Sequence, residues 1–526
     1  MFRLQMIKLT LERSPREDAL PLEEHISTML GIKKEDFSLE IRKKSLDARR
    51  GKAKFVYTVD VTLNSGDENA VASRCGGTIA EPEIPFALPK PKSLPKHRPV
   101  IAGFGPAGIF AALSLARAGL KPIVLERGKS VDDRKKDVDI FFSGGELDEN
   151  SNIQYGEGGA GAFSDGKLNT LIKDKSFRGQ FVLKELVNAG APKETLYAAK
   201  PHIGTDLLCG VVKSIRNEII ALGGEIRFES PLNDIITENG VLKAVVCPDG
   251  VIETDTLFVA TGQSAKNVLE MLYSHGAALE AKPFSVGFRI EHKQKDIDMA
   301  QYGKCEDVHF LPPAEYKLFA HCKTGRTVYS FCMCPGGHVV AAASENGRLV
   351  TNGMSYHSRN SENANSAILC EILPKDLGDG IFAGYDYREK LERIAFEMGG
   401  GDFTAPAMTV GEYLGKDKCG QKVTPTYPRG VRFTDISKLF SKEINDSFRE
   451  ALCEFAKKIK GFDSDGAVIT AIESRTSSPV RLVRNDDRQS NINGIYPLGE
   501  GAGYAGGIIS AAIDGVRSAE EYILSL

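Results

Sequence analysis

Alternating apolar and polar positions open the chain. The alternation runs along Phe2–Leu11, gives way to helical spacing over Leu22–Leu30, and returns at Phe37–Ile41 and Phe55–Leu63. This order of a strand, a helix and two further strands predicts a small ferredoxin-like α/β module over residues 1–80.

Prolines separate this module from the rest of the chain. Six of them fall between residues 82 and 99, where they stiffen the backbone and remove amide donors. Residues 81–98 are therefore predicted to form a linker.

Strand, turn and helix patterns resume at residue 99 and predict a first α/β unit over residues 99–277. Residues 278–466 mix strand and helix patterns, which predicts an inserted α+β domain for the substrate. Its strands are expected at Ser285–Ile290 and Thr327–Cys332, and its helices at Tyr387–Met398 and Ile444–Lys458. Residues 467–526 are predicted to complete the first unit, with strands at Ala467–Ile472 and Gly494–Leu498 and a helix over Ile508–Leu524.

Composition narrows the classes of function. A chain of 526 residues exceeds what one hydrophobic core usually serves, and its net charge of −3 gives no bulk attraction to nucleic acid or to an anionic membrane. The ten cysteines are scattered, so neither a structural metal site nor a disulfide scaffold is predicted. Charges every few residues at the start, and no run of eighteen apolar residues, lead us to expect a cytoplasmic protein without a membrane span.

A glycine-rich turn joins the first strand and helix of the unit that begins at residue 99. The strand leads into Gly103-Phe104-Gly105-Pro106-Ala107-Gly108, after which apolar residues recur at helical spacing. Gly103 permits a tight turn, Gly105 lets a pyrophosphate approach the backbone, and Gly108 brings helix and strand together. The helix N-terminus offers unpaired N–H groups to phosphates. With its flanking elements, the motif predicts a dinucleotide site rather than a plain turn.

An acidic residue follows the second strand of this unit. Ile123–Leu125 ends in Glu126-Arg127, eighteen residues past Gly108. A carboxylate there can accept hydrogen bonds from both hydroxyls of an adenosine ribose.

Two later motifs favour FAD over NAD. Ala260-Thr261-Gly262 resembles the strand end that flavoproteins of the glutathione-reductase structural class place beside FAD. Gly494–Gly503 resembles the last FAD-contacting strand of that class, with Glu500 after Gly499 where Asp is usual. Its carboxylate can still accept from the ribityl chain. Gly506 and Gly507 then open a helix at Ile508, whose N–H groups are expected to face the flavin.

These motifs predict an α/β fold class: a Rossmann-like FAD-binding domain of the glutathione-reductase type. Together with further stretches, the chain resembles a group of largely uncharacterised bacterial FAD-utilising dehydrogenases, distantly similar to the flavoproteins that include a bile-acid reductase. The further stretches are Ser151–Leu168, Lys200–Asp206, Cys334–Gly337, Thr351–Ser355 and Glu473–Arg481. The resemblance implies FAD as cofactor and implies no substrate.

The resemblance also implies that a glycine loop lies near the flavin. Gly159, Ala160 and Gly161 are the small residues that would let the backbone approach the ring. An ordinary surface loop is the alternative interpretation of the same residues.

The electron donor is left open. No second nucleotide motif is visible for NAD(P)H, and no cysteine lies between Cys75 and Cys209, where a disulfide reductase would carry its redox pair. Cys332 and Cys334 extend a strand and are interpreted as buried small hydrophobes.

Several polar residues are candidates for catalysis at the boundary between domains, where ligand clefts form. They are Lys167, His202, Tyr356, His357 and Arg475. Each could instead be a hydrogen-bonded structural residue, and Arg475 is equally compatible with an anion site and with an ion pair.

The leading hypothesis is an FAD-dependent oxidoreductase that transfers hydride between the flavin and a small organic substrate. A flavoprotein acting on tRNA is one alternative, because the first module carries Arg42-Lys43-Lys44, Arg49-Arg50, Lys52 and Lys54. The other is an electron-transfer flavoprotein that docks a protein partner through an exposed strand edge of this module.

Overall fold

The computed structural model describes residues 1–526 except 11–18, 49–52, 82, 171, 173, 304–310 and 418–422. Its N-terminal module consists of strand β1 (Phe2–Thr10), helix α1 (Ala19–Leu30), strands β2 (Phe37–Asp47) and β3 (Lys54–Leu63), helix α2 (Glu68–Cys75) and strand β4 (Thr78–Ile79). The described strands form an antiparallel sheet in the order β2-β3-β1-β4.

The strands and the helix predicted for this module are confirmed within its described residues, and Leu11 and Pro82 lie outside them. β2 continues six residues past the predicted Ile41 because its backbone keeps pairing with β3, although its side chains there no longer alternate. Helix α2 and strand β4 were not predicted.

The next unit is built on a parallel sheet. Its elements are β5 (Val100–Ala102), α3 (Pro106–Arg117), β6 (Ile123–Leu125), α4 (Val131–Phe142), α5 (Arg178–Asn188), α6 (Thr205–Ala221), β7 (Glu225–Arg227), β8 (Asp234–Glu238), β9 (Val241–Cys247), β10 (Gly250–Glu253), β11 (Leu257–Val259), α7 (Lys266–Ser274) and β12 (Leu279–Ala281). β8, β9 and β10 form a small antiparallel sheet of their own.

A larger mixed sheet comes next along the chain. Its region contains β13 (Ser285–Lys293), α8 (Gln294–Tyr302), β14 (Phe319–His321), β15 (Thr327–Cys334), β16 (His338–Ala341), β17 (Thr351–Met354), β18 (Asn363–Glu371), α9 (Ala383–Gly399), β19 (Ala405–Thr409), α10 (Val410–Tyr413), β20 (Val431–Phe433), α11 (Lys442–Lys458) and β21 (Val468–Glu473). The chain ends with β22 (Val480–Leu482), β23 (Ile495–Pro497) and α12 (Ile508–Ser525). Short 3₁₀ turns lie at Lys34–Asp36, Gly159–Phe163, Lys193–Leu196, Pro374–Asp376 and Ile436–Leu439.

The last strand of the chain returns to the parallel sheet. Among the described residues its order is β23-β11-β5-β6-β7, with every neighbouring pair parallel. The carboxyl ends of β5, β6, β11 and β23 therefore meet at one edge, which brings residues about 400 positions apart together.

Strand β21 corrects one predicted domain boundary. We expected residues 467–526 to belong to the first unit, but β21 pairs with β13 and β19 in the larger sheet. A mostly apolar strand pattern indicates that both faces of the strand are buried, but it does not show in which sheet the strand lies. The predicted strands and helices of residues 278–466 are otherwise confirmed, each within a few residues.

Helices α3 and α12 pack on the parallel sheet with their backbones in close approach. A Cβ added at Gly515 would lie 2.2 Å from the carbonyl oxygen of Ala107. Ile101, Phe110, Ala512 and Val516 share the apolar core between them. Within the described residues, we find no helix that is both long and apolar enough to cross a bilayer.

Candidate functional site

The glycine turn after β5 has the geometry that its sequence predicts. Gly103 has a φ of 98°, and a Cβ there would lie 2.4 Å from the carbonyl oxygen of Ala260. A Cβ at Gly108 would lie 2.0 Å from the carbonyl oxygen of Gly103. Gly105 caps helix α3 and Pro106 fills its first position. A Cβ at Gly105 would contact Gly159 at 3.6 Å, which is an ordinary van der Waals distance, so this glycine packs against the glycine loop without a clash.

Glu126 ties three segments together behind this turn. Its carboxylate is buried and accepts hydrogen bonds from the backbone N–H groups of Phe104 at 2.7 Å, Gly128 at 2.9 Å and Gly156 at 2.9 Å. A carboxylate has about four acceptor positions, so capacity remains for one more donor. Glu126 thus positions the turn itself, a role that its sequence context did not predict.

A cavity opens beside Glu126 at the edge of the sheet. Its walls are Ala102, Gly103, Leu125, Glu126, Arg127, Tyr155, Pro231, Leu232, Thr261, Ala265 and Val268. The Arg127 guanidinium lies 4.7 Å from the centre of the Tyr155 ring, and the Tyr155 hydroxyl donates to the Ser264 carbonyl at 2.8 Å. The cavity lies beside this stacked pair, and a largely apolar wall next to an arginine and an aromatic ring is suited to a heteroaromatic base.

The glycine loop at residues 159–161 lies directly against both helix N-termini. A Cβ at Gly159 would be 3.0 Å from the Gly105 Cα atom, and one at Gly161 would be 3.2 Å from Ile508 and 3.6 Å from Pro106. The structure thus brings together the start of the first helix, the loop and the start of the last helix.

Arg134 holds this loop from beneath. It is completely buried on α4 and donates to the carbonyl oxygens of Asn152 at 2.7 Å, Ile153 at 2.7 Å, Glu157 at 2.7 Å and Gly159 at 3.0 Å. Burial lowers the pKa of Arg134 to about 10. Sequence reasoning missed this residue, because an arginine within Val131-Asp132-Asp133-Arg134-Lys135 looks like part of a solvated helix face.

Ala260, Thr261 and Gly262 lie at the end of β11, next to the glycine turn. The Ala260 N–H donates to the Ala102 carbonyl at 2.8 Å. Gln263 follows and donates from Nε2 to Glu500 at 3.0 Å and to the Arg475 carbonyl at 2.7 Å. Its other side-chain atom, Oε1, is buried without a hydrogen-bond partner among the described residues. A ligand hydroxyl beside Glu500 would satisfy it.

The C-terminal motif ends at the same edge. Asp514 of α12 accepts from the Gly499 N–H at 2.8 Å and is paired with Arg484 at 2.8 Å, which fixes the strand end to the last helix. Glu500 is half-buried, and burial raises the pKa of its carboxyl to about 7. Gly506 and Gly507 are exposed, with open space around them. The N-terminus of α12 is therefore accessible.

Four of the catalytic candidates share one corner. The Lys167 ammonium donates to the Met333 carbonyl, and the rings of His202 and His357 stack at 5.2 Å. Burial lowers the pKa of His202 to about 4, and its Nε2 lies 3.1 Å from the His357 carbonyl oxygen. Tyr356 is largely exposed, with its ring 6.0 Å from that of His338.

Arg475 forms an ion pair, which is one of the two interpretations that its sequence allowed. Its guanidinium donates twice to Glu392, at 3.0 and 2.8 Å, and also to the Ser344 hydroxyl. The charge of Arg475 is compensated inside the protein, so this candidate for an anion site is not free to bind one.

This fold and site define a class: α/β proteins that carry a glycine-rich turn and two accessible helix N-termini at the carboxyl edge of a parallel sheet, the arrangement used for dinucleotides. Along 99% of its length the chain is 46% identical over 536 residues to a Clostridium beijerinckii protein described as an uncharacterized protein, of which the match covers 98%. The chain belongs to the family of that Clostridium protein.

Two parts of the chain match models of protein families. Residues 283–476 match "FAD-dependent protein, C-terminal domain-like", and residues 1–62 match a domain of unknown function. The first match supports FAD and an oxidoreductase class, as the glycine motifs predicted.

Solved structures with similar folds are distant. CtdE in complex with FAD has 13% identity, with 82% of this chain and 85% of that chain covered, at a TM-score of 0.33. L-Proline dehydrogenase from P. horikoshii has 12% identity, with 81% and 93% covered, at a TM-score of 0.34. Glycine oxidase from Bacillus cereus has 11% identity, with 81% and 95% covered, at a TM-score of 0.30. These likenesses are too weak to carry an argument about this chain.

Proposed function

We propose that this protein is an FAD-dependent oxidoreductase that transfers hydride between the flavin and a small organic molecule. The observation that carries the proposal is the meeting of two helix N-termini over one glycine loop, with Gly161 within 3.2 Å of Ile508 and 3.6 Å of Pro106 if it carried a Cβ. Two positive dipole ends at one cleft suit a ligand with a pyrophosphate at one place and an electron-rich ring at another.

Each part of FAD has a set of residues that fits it. The N-terminus of α3, which Gly105 caps, suits the pyrophosphate. The cavity beside Arg127 and Tyr155 suits adenosine, with the remaining acceptor capacity of Glu126 for the ribose. Glu500 and the unpartnered Oε1 of Gln263 suit the ribityl hydroxyls.

The helix start at Gly507 suits the flavin ring. FAD supplies the hydride chemistry when bound, and the protein binds, orients and excludes water. His202 is kept neutral at pH 7 by burial, so it can accept or donate one hydrogen bond without a net charge. Lys167 is the cationic candidate near the same corner and is suited to a carboxylate or carbonyl of the substrate.

We further propose the finer assignments. The FAD domain is of the glutathione-reductase type, and the N-terminal module is ferredoxin-like, which the sheet order β2-β3-β1-β4 supports. The chain is related to FAD-utilising dehydrogenases distantly similar to a bile-acid reductase. Its location is cytoplasmic. The proposed domain limits stay as predicted, except that the end of the inserted domain moves past Glu473. NAD(P)H is a possible electron donor.

The two alternative functions receive little support from the N-terminal module. Arg42 is paired with Asp60 at 2.8 Å and with Glu40 at 2.8 Å, while Arg49, Arg50 and Lys52 lie outside the described residues. Part of the β2 edge is covered by the chain itself, because the Lys44 N–H donates to the Tyr197 carbonyl and the Ala199 N–H donates to the Lys44 carbonyl, both at 2.8 Å. Neither the cations nor this edge is wholly available to RNA or to a protein partner.

A methyl group at Gly105 tests the site. Gly105→Ala adds a Cβ with no protein atom closer than 3.6 Å, so the fold should persist while the approach of a pyrophosphate is blocked. Gly210→Ala, at an exposed glycine of α6 with open space around it, is the matched control. FAD released from each purified protein is quantified by chromatography, with thermal unfolding measured in parallel.

We expect Gly105→Ala to lose at least tenfold in FAD affinity while Gly210→Ala keeps the wild-type value. A Gly105→Ala protein with wild-type FAD content, or a folded wild-type protein that neither contains nor binds FAD, would refute the proposal.

A further inference from the structure

Cys332 and Cys334 lie at a break in the larger sheet. Phe331 of β15 pairs with Ala367 of β18, but the next paired residue, Cys334, is opposite Asn365. Two residues of β15 therefore face one residue of β18, which is a β-bulge. Cys332 sits in this bulge with a φ of 43°, a left-handed conformation that is uncommon for a residue with a side chain. Such outliers concentrate at functional sites.

Polar groups, rather than apolar side chains, hold the bulge. Arg289 is completely buried and donates to the Cys332 carbonyl at 2.8 Å, while its Nη2 atom is paired with Glu473 at 2.9 Å. The Lys167 ammonium donates to the next carbonyl, that of Met333. Two cationic side chains thus hold the carbonyl groups of two consecutive residues.

The two cysteines contact each other. The Cys334 thiol donates to the Cys332 carbonyl at 3.3 Å. The Cys334 side chain, together with Arg289 and Lys167, lowers the pKa of Cys332, whereas Cys332 and burial raise the pKa of Cys334. Cys332 is therefore the thiol of the pair that ionises first.

Two other cysteines of the chain are buried in apolar surroundings and allow a comparison. Burial raises the pKa of Cys370 to about 12 and that of Cys322 to about 11. Both lie in the apolar core of the larger sheet. Cys334 is fully buried, as a small hydrophobe would be, but Cys332 is half-buried and its carbonyl accepts from Arg289.

Contacts connect the bulge to the proposed flavin site, because Arg289 is paired with Glu473 and Gln263 links the Arg475 carbonyl to Glu500. Besides burial, the charge of Cys332 raises the pKa of Glu500, which follows the last strand of the parallel sheet. Lys167, which contacts Met333, follows the glycine loop at residues 159–161 along the chain. Glu500 and that loop are two of the segments that fit FAD in the proposed function.

We propose that Cys332 and Cys334 are a redox-active thiol pair beside the flavin, and that the substrate class they serve is a disulfide. This inference rests on the proposed function. The Cys332 thiolate attacks a sulfur of the substrate disulfide, forming a mixed disulfide and releasing one substrate thiolate. Cys334 then attacks Sγ of Cys332, so that the Cys332–Cys334 bond forms, the second substrate sulfur leaves, and the Cys334 proton goes to a released thiolate. The pair regains its thiolate and thiol by taking two electrons and one proton from the reduced flavin.

The first experiment traps the mixed disulfide and needs no flavin chemistry. Wild type, Cys334→Ser and a control, Cys453→Ser at an exposed position on α11, are treated with 5,5′-dithiobis(2-nitrobenzoate), digested without reduction and analysed by peptide mass spectrometry. We expect an internal Cys332–Cys334 disulfide in wild type and in Cys453→Ser. In Cys334→Ser we expect the aromatic thiol trapped on Cys332, because no resolving thiol remains.

The reaction also has a pH signature. The rate at which Cys332 is alkylated by iodoacetamide should already be at half its maximum near pH 6. Lys167→Met should move this midpoint to higher pH, because a positive charge beside the thiolate is removed. A mixed disulfide that persists on Cys332 in wild type, or a Cys332 that does not react in wild type, would overturn the inference. Neither outcome needs a variant to fold.

The second experiment separates the thiol pair from the flavin. FAD content is measured first, and anaerobic dithionite titration then counts electrons per flavin in protein oxidised beforehand with diamide. Wild type should take up twice the electrons that Cys334→Ser takes up, because only wild type has a disulfide to reduce. Equal electron uptake by two FAD-containing proteins would refute the redox-active thiol pair and would not affect the proposed function. Absence of FAD would refute the proposed function, and the trapping experiment would still test the chemistry of the pair.

Discussion

Removing the guanidinium of Arg134 should loosen the loop that carries Gly159 and weaken both the fold and FAD binding. Four of its hydrogen bonds to loop carbonyls are 3.0 Å or shorter. At about 1 kcal/mol each they contribute about 4 kcal/mol. Water entering the emptied space, and the removal of a completely buried charge, offset part of this stabilisation. We therefore expect Arg134→Ala to lower the free energy of unfolding by about 2–4 kcal/mol.

Urea unfolding followed by circular dichroism measures this loss, and titration of the unliganded protein with FAD measures the coupled loss of affinity. Lys135→Ala is the matched control, because the neighbouring side chain on α4 is exposed. A free energy of unfolding for Arg134→Ala within about 0.5 kcal/mol of wild type, the range of ordinary surface changes, would refute the reasoning. So would a stability loss that leaves FAD affinity unchanged, because the loop would then not present Gly159 to the cofactor.

Three further variants test individual carboxyl and imidazole groups. In wild type the Phe104 N–H donates to the Glu126 carboxylate at 2.7 Å, and Glu126→Gln would place an amide N–H against this donor. The variant should lose about 1–3 kcal/mol of unfolding free energy and bind FAD more weakly. Unchanged urea midpoints would contradict the role of Glu126 as a buried acceptor. In the folded protein the pKa of His202 is lowered from 6.5 to about 4. Wild type should therefore lose about 2 kcal/mol of stability as pH falls from 6.5 to 4. Thermal melts across that range should show that His202→Gln largely abolishes this loss. In the folded protein the pKa of Glu500 is raised from 4.5 to about 7. Its contribution to stability is therefore present below pH 4.5 and is lost as pH rises to 7. If the difference in unfolding free energy between wild type and Glu500→Gln stays constant across that range, the carboxyl is not desolvated.

The sequence by itself predicted most of the local elements and indicated FAD as the cofactor. Glycine spacing at residues 103–108 determines a turn because only residues without a Cβ fit against Ala260 and Gly103, and this steric fact is local enough to be visible in the motif. Apolar periodicity likewise predicted the buried strands and helices, including α12 to within one residue of its end. The order of the three glycine-containing motifs pointed to FAD, in agreement with the family match at residues 283–476.

Only the tertiary structure decided which of these elements share a sheet and what each polar side chain contacts. A buried strand such as β21 has the same apolar pattern in either sheet, so its partners β13 and β19 could not be predicted. Arg134, Arg475 and Cys332 are ordinary residues in sequence, and their roles arise from distant partners. Arg134 donates to the carbonyl of Asn152, Arg475 pairs with Glu392, and the carbonyl of Cys332 accepts from Arg289. Burial and charge pairing are properties of contacts between distant segments, and a pattern along the chain does not contain them.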